Sequence, residues 1–469
     1  METTEETMST NVWQKSKWLI KGGIIGFLAL VMMIPMLYVK NLILEREDRQ
    51  KEAAREISSK WAGPQNIIGP IIGIPYWETI GTDTTGKVIE KKQTAWFLPD
   101  TLNITSTVNP KEKHRGIFKV MLFESNTTIN GTFKKPDYSS LNIPADKLIW
   151  NEAFVKMSIA DTKGLNDQLT LQWNDTLLEF SPQSGVNNEG MKAMLKANSE
   201  EEFSSIRFST TINLNGSEQL RFTPVGKSTM VNLNSTWKDP SFSGNTLPQN
   251  TVVNDTGFTA SWKSMAHKRN FPQQWTGNAY SLAHYFPQTT TYEGVVRFDG
   301  NDTESPIQES ANKVFLSNAA FGVDLYIPVN GYQKTLRTIK YALLCILLTF
   351  AAFFLIETSN KKSVHPFQYG LIGLALILFY TLLLSISEYT GFNSAYMIAS
   401  IATIGLISWF VMNILKSKRV TTIISVVLIL IYSYVFSLMQ LQDYSLLLGS
   451  IGLFCTLAVI MYYSKRLKW

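Results

Sequence analysis

The apolar positions of this chain follow two different patterns. Over 22–39, and again over 341–356, 369–386, 395–415, 420–439 and 446–463, they form runs that no charged residue interrupts. A hydrocarbon core about 30 Å thick needs about 20 residues of helix. The runs therefore predict six transmembrane helices, one N-terminal and five C-terminal, with a kink at Pro35 in the first. Residues 40–62 carry mixed charges and no breaker, which predicts a juxtamembrane helix that Gly63-Pro64 stops. Its supports are the i,i+4 pairs Glu45 with Arg49 and Glu47 with Lys51. Ala53, Ile57 and Trp61 make a narrow apolar stripe on it, either on a solvated stalk or packed on a neighbour.

Beyond Gly63 the period becomes two. Ile206, Phe208, Ile212 and Leu214 alternate with Arg207, Ser209, Thr211 and Asn213, as in a half-buried strand. Leu169, Leu171 and Trp173, then Val231, Leu233 and Trp237, then Phe258, Ala260 and Trp262 repeat the pattern. Asn130-Gly131, Asn215-Gly216 and Asp299-Gly300 read as turns, the second leading into a return strand from Leu220 and Phe222. The fold class expected is an α+β membrane protein, six helices plus a large β-rich antiparallel domain over 63–340. That length suggests two subdomains with a seam near 181–199. Residues 341–463 would be the five-helix bundle.

Charge then sets the orientation. The excess of 43 Lys and Arg over 37 Asp and Glu concentrates at helix ends: Lys15, Lys17 and Lys21; Lys361 and Lys362; Lys416, Lys418 and Arg419; Lys465, Arg466 and Lys468. The alternate loops 387–394 and 440–445 carry no basic residue. By the positive-inside rule 1–21 and 464–469 face the cytoplasm and the β-rich domain is periplasmic. With the basic residues so placed and no nucleic-acid motif present, no nucleic acid is expected as a partner. The expected partners are membrane lipids and an envelope protein, lipid or glycan, and the oligomeric state stays open.

Candidate chemistry is sparse. Cys345 and Cys455 both fall in spans, and His114, His267, His284 and His365 lie far apart, so neither a disulfide nor a metal site is expected. There is no P-loop and no GxSxG. Ser359-Asn360-Lys361-Lys362 fits S-x-x-K, but it belongs to a cytoplasmic helix end and reads as topogenic charge. No catalytic residue and no cofactor is assigned. The C-terminal spans as delimited hold no ionisable side chain, which weighs against ion-coupled transport. Ser385, Ser387, Thr403 and Ser408 are candidate interhelical donors, and Gly370, Gly373, Gly405 and Gly449 candidate close-packing points. Eight Asn-x-Ser/Thr sequons, at Asn103, Asn126, Asn130, Asn174, Asn215, Asn234, Asn254 and Asn301, read as chance in a chain rich in these residues.

Several strings then resemble the CreD family of bacterial inner-membrane proteins. They include Leu348-Thr349-Phe350, Phe353 to Glu357, His365-Pro366-Phe367-Gln368-Tyr369 and Phe379 to Glu388. Among the strands they include Gly63-Pro64-Gln65, His114 to Phe118 and Trp237 to Pro248. The resemblance implies a multi-pass protein of the bacterial inner membrane. It also implies a family linked to a two-component regulatory system, to tolerance of certain colicins and to envelope stress. It supplies no reaction. Within these strings Glu357 and His365 flank a short turn, where a pair would serve as clamp, partner contact or pH sensor. Glu388 at the far end of the third span would dock the β domain or be hydrated, and Trp237 and Trp262 are candidate partner contacts. The expected function is non-enzymatic support of envelope integrity, the β domain binding an envelope component. The alternatives are a lipid or small-solute transporter or channel, and an envelope hydrolase with carboxylates hidden in the β domain.

Overall fold

The computed structural model describes residues 20–82, 88–182, 190–197, 199–284, 314–325, 331–360, 364–441, 447–452, 454, 458 and 461. Several of the sequence readings fall outside them: Lys15, Lys17, Lys361, Lys362, Cys455, Lys465, Arg466, Lys468, Asp299-Gly300 and Asn301. The chain divides into a helical unit, 1–52 with 329–469, and a β unit, 53–328.

In the helical unit, four helices among the described residues are long and apolar enough to cross a membrane: α1 (Ile20–Trp61), α4 (Pro366–Thr390), α5 (Phe392–Leu415) and α6 (Lys418–Gln440). A fifth crossing is possible by length if α2 (Gly331–Lys340) and α3 (Ala342–Asn360) act as one broken span, bent by 46°. The expected sixth run, 446–463, lies mostly outside the described residues, 447–452 being helical. The predicted second span started at Tyr341, but helix begins at Gly331 and Tyr341 is the bend itself. Its N–H bonds the Thr338 carbonyl, a 3₁₀ step, while the Thr335 and Thr338 hydroxyls bond the carbonyls four residues back, a habit that bends helices.

Helix α1 joins the first span and the juxtamembrane segment into one element of 42 residues, about 63 Å at 1.5 Å per residue. Its regular pattern is interrupted at Met32, close to where Pro35 has no N–H to offer the carbonyl four residues back at Val31. Ile25, Ala29, Met36, Val39 and Ile43 are buried at helical spacing, and Phe27, Leu30, Ile34 and Tyr38 are exposed. Both predicted i,i+4 pairs form, Arg49–Glu45 at 2.7 Å and Lys51–Glu47 at 3.2 Å. Of the four glycines, Gly370 and Gly373 face Leu28 and Met32 of α1, but Gly405 and Gly449 have open space beside them. Ser408 does bond Ser425 across α5 and α6, at 2.6 Å.

The β unit is built on an eight-stranded and a nine-stranded sheet. The eight-stranded sheet runs Asn250–Asn254, Gly257–Met265, Ser228–Ser235, Thr101–Arg115, Phe118–Lys134, Ser205–Ser217, Thr170–Trp173, Thr176–Glu179. Gln65–Thr82 is the spine of the other, pairing with Gln219–Phe222, Phe154–Ile159 and Val88–Phe97 along its length. Inner faces meet in one apolar cluster. Trp262 of the first sheet stacks on Phe321 of the second at 5.8 Å, and Phe258 meets Phe242 edge-on at 5.5 Å. Pairing is mainly antiparallel. Among the described residues three junctions are parallel: Ser228–Ser235 with Thr101–Arg115, Gln65–Thr82 with Gln219–Phe222, and, in a small separate ladder, Tyr280–Ser281 with Val314–Phe315. At the expected seam, Ser181–Pro182 pairs with Met191–Met194 at one edge of the nine-stranded sheet.

Two of the predicted turns are not turns. Gly131 and Gly216 sit inside strands, opposite Leu102 with Phe208 and opposite Phe123. At Gly131 a Cβ would collide with the Thr101 carbonyl, and at Gly216 with the Phe123 ring. These glycines admit a close approach, the other use of glycine in a strand. The real hairpin is at Gly116, φ +59, and the chain leaves Ser205–Ser217 through Glu218, φ +61, directly into Gln219–Phe222 of the other sheet.

Candidate functional site

Glu357 lies near the end of α3 with its carboxylate fully buried. Three groups converge on it. Lys21 of α1 forms the ion pair, the Val364 N–H donates to Oε1 at 2.9 Å, and the Tyr369 hydroxyl donates to Oε2 at 2.8 Å. A charge taken out of water persists only when so partnered. His365 does not take part in the expected pair. It caps α4: its Nδ1 accepts from Phe367 N–H at 3.2 Å, the Gln368 side chain accepts from its own N–H at 3.1 Å, and Pro366 occupies the first helical position. The carboxylate pairs with an amine from another helix instead.

Glu388 forms a second node near the other end of α4. The Tyr332 hydroxyl of α2 donates to its Oε1 at 3.0 Å, and Arg46 Nε of α1 lies 3.9 Å away. Lys21 and Arg46 are separated by about 37 Å of helix at 1.5 Å per residue, which is also the length of the 25-residue α4. Between them Leu28 approaches Gly370 and Met32 approaches Gly373. Helix α1 thus runs parallel to α4 and is fastened at both ends by charge and in the middle by small-residue packing.

The two tryptophans belong to the β unit and differ from each other. Trp262 is 1% exposed and is core, between Phe242 and Phe321. Trp237 is half-buried, and its Nε1 donates to the Asp239 carbonyl at 2.8 Å.

One polar cluster escaped the sequence reading because its members are scattered. Ser158 Oγ is 2.8 Å from His284 Nε2, and Asn66 Nδ2 is 3.3 Å from His284 Nδ1 and 3.2 Å from Thr223 Oγ1. Serine, imidazole and amide in this order resemble a nucleophile, base and orienting group. The hydrogen-bond directions decide otherwise. An amide N–H directed at Nδ1 makes that nitrogen the acceptor, leaves the proton on Nε2, and turns Ser158 into the acceptor rather than an activated nucleophile. Burial holds the imidazole down at about 4, so it is neutral at ordinary pH. Ser158 and Asn66 are each 2% exposed, as befits a satisfied interior network. Among the described residues no group of three or more His, Cys, Asp or Glu could hold a metal ion.

The family model described as Inner membrane protein CreD matches residues 17–469. The protein named Inner membrane protein CreD of Escherichia coli (strain K12) is 30% identical over 443 residues, covering 94% of this chain and 91% of that one. With apolar helices of membrane-crossing length and a match spanning both units, the chain belongs to the CreD family of inner membrane proteins.

Proposed function

We propose that this chain is a non-enzymatic support of the bacterial envelope, displaying its β unit in the periplasm to bind an envelope component while both termini stay in the cytoplasm. The observation that carries the reading is the double fastening of α1. Lys21 and Arg46 tie to the remaining helices the one helix that continues to Trp61 and feeds the first strand at Gln65. A helix fastened in this way can serve as a membrane anchor for the chain that follows it. The buried carboxylate of Glu357 is consumed by its partners, as a structural ion pair would be rather than a proton relay. The orientation is supported by the basic residues at Lys21, Lys416, Lys418 and Arg419 against the corner at 387–394 between α4 and α5, which carries no basic residue.

The test has two stages. Single cysteines on exposed strand positions should react with an impermeant thiol reagent once the outer membrane is opened. Photocrosslinkers at the same positions in growing cells should then capture one reproducible envelope component. Labelling that waits for lysis of the inner membrane, or capture of bulk lipid alone, would sink the proposal.

A further inference from the structure

The outward face of the eight-stranded sheet is a lattice of amides and hydroxyls. Directly paired residues share a face, so the register fixes the rows. One row reads Thr259, Asn234, Thr107, Asn126, Asn213 across five strands. The next reads Ser261, Asn232, Thr105, Thr128, Thr211. A third reads Lys263, Met230, Asn103, Asn130 and Ser209, so charge and a long aliphatic side chain enter at this border. None of these positions is buried, while the alternate positions, such as Leu233, Ile104, Ile129 and Ile212, fill the core. Strands lie about 4.8 Å apart and like-facing residues about 6.7 Å apart along each, so the first two rows span about 19 by 7 Å.

Alternation also explains the sequons. Asn at i and Thr at i+2 point to the same side of a strand, so Asn103, Asn126 and Asn130 with their threonines are the lattice seen in one dimension, not chance.

The lattice is ordered before anything binds. Asn126 Nδ2 donates to Asn213 Oδ1 at 2.6 Å, Asn103 Nδ2 to Asn130 Oδ1 at 3.4 Å, and the Thr128 and Thr211 hydroxyls are 3.4 Å apart. Each such bond uses one site of an amide that has two donors and two acceptor positions, and although Asn213 spends a second on Asp167, other sites remain for a ligand. Side chains already held lose little entropy on binding.

Chemistry selects the occupant. The first two rows contain no ionisable group, and the charge that touches them is the Asp167 carboxylate, which accepts from Asn213 Nδ2 at 2.8 Å, whereas nucleic acids and anionic headgroups demand cations. They contain no aromatic or long aliphatic anchor, where protein partners concentrate binding energy and membranes take up surface. What matches an uncharged array of donors and acceptors is an uncharged polymer bearing both hydroxyls and amides. We propose that this face binds a linear glycan of N-acetylated amino sugars, the acetamido groups pairing with the asparagine amides. The assignment rests on the reading of the β unit as a binder of an envelope component and names that component's class.

The full-length protein in detergent or nanodiscs is titrated with a hexamer of β-1,4-linked N-acetylglucosamine and co-sedimented with purified cell-wall sacculi. Saturable binding to both is expected. Thr105→Lys and Asn232→Lys should each weaken it at least tenfold with the thermal unfolding midpoint unchanged. Thr105→Ser, which keeps the hydroxyl, and Lys91→Glu, on a different strand pair, should leave it intact. Absence of binding to both probes, or binding indifferent to the lattice variants, overturns the glycan assignment. So does a change of oligomeric state in the lattice variants on sizing, which would make the face a contact between copies. If the glycan fails while crosslinking in cells still captures a protein from the β unit, only this assignment falls. If crosslinking captures bulk lipid alone, the broader reading falls with it.

Discussion

Both units use the same apolar residue types, but with opposite sorting. In the helical unit Leu30, Leu378, Ile401 and Trp409 point outward and the buried seams hold Ala395, Ala399 and Gly373. In the β unit Ile68, Phe123, Leu214 and Trp262 are inside, and the outer face is asparagine and threonine. Lipid outside removes the drive to hide leucine, so the helices hold together by close fit and by polar groups. Water outside restores that drive and makes burial the main stabilising term. Buried polarity follows suit. The helices carry an ion pair at Lys21 and Glu357, and the sheets carry a neutral network around His284.

The contrast is exposed most severely at Glu357. Glu357→Leu, which strands Lys21, should cost about 3–5 kcal/mol, while Lys21→Met combined with Glu357→Leu should regain more than half. An exposed pair in the β unit, Lys92 with Glu152, should be worth at most about 1 kcal/mol when cut by Lys92→Ala. Thermal unfolding of the purified protein measures all three, and equal costs would erase the distinction. Next in size is the pH response of the neutral network. Because His284 titrates at about 4 when folded and near 6.5 when free, the unfolded chain takes up its proton first. Stability of the β unit should therefore fall as the pH drops from about 6.5 to 4, by on the order of 3 kcal/mol, and level off below. Burial raises the Glu218 and Asp324 carboxyls, and raised carboxyls contribute in the opposite sense, their stability being lost as pH rises. The difference between the parent and His284→Gln isolates the imidazole, and a difference independent of pH would refute the assignment.

Glycines sharpen the comparison at smaller scale. Gly131→Ala drives a methyl into a strand backbone and should cost about 2–3 kcal/mol, whereas Gly405→Ala meets nothing and should be neutral or gain up to about 1 kcal/mol of helix propensity. Smallest is the cap. His365→Ala should cost about 1 kcal/mol, and His365→Asn should restore most of it.

The elements that were legible are those whose signal is local. Period-two runs placed Ile206 to Leu214 and Phe258 to Trp262 on the correct faces, and the apolar run 369–386 fell inside α4. The partner of Glu357 was illegible because it lies 336 residues away. Asn130-Gly131 misled because a glycine in a strand and a glycine in a hairpin look alike until the neighbouring strand is known. The outward lattice was visible only as sequons, since the rows come from register, and the Ser158, His284 and Asn66 cluster joins three distant segments.

The exit at Glu218 has a consequence for how the β unit comes apart. Thirteen residues hydrogen-bonded in one layer continue, with a single residue between, into four bonded in the other. Neither layer can peel away while that stretch of backbone remains paired on both sides. Amide hydrogen exchange should accordingly find Ile212 and Leu220 opening in the same cooperative event, two sheets melting as one foldon.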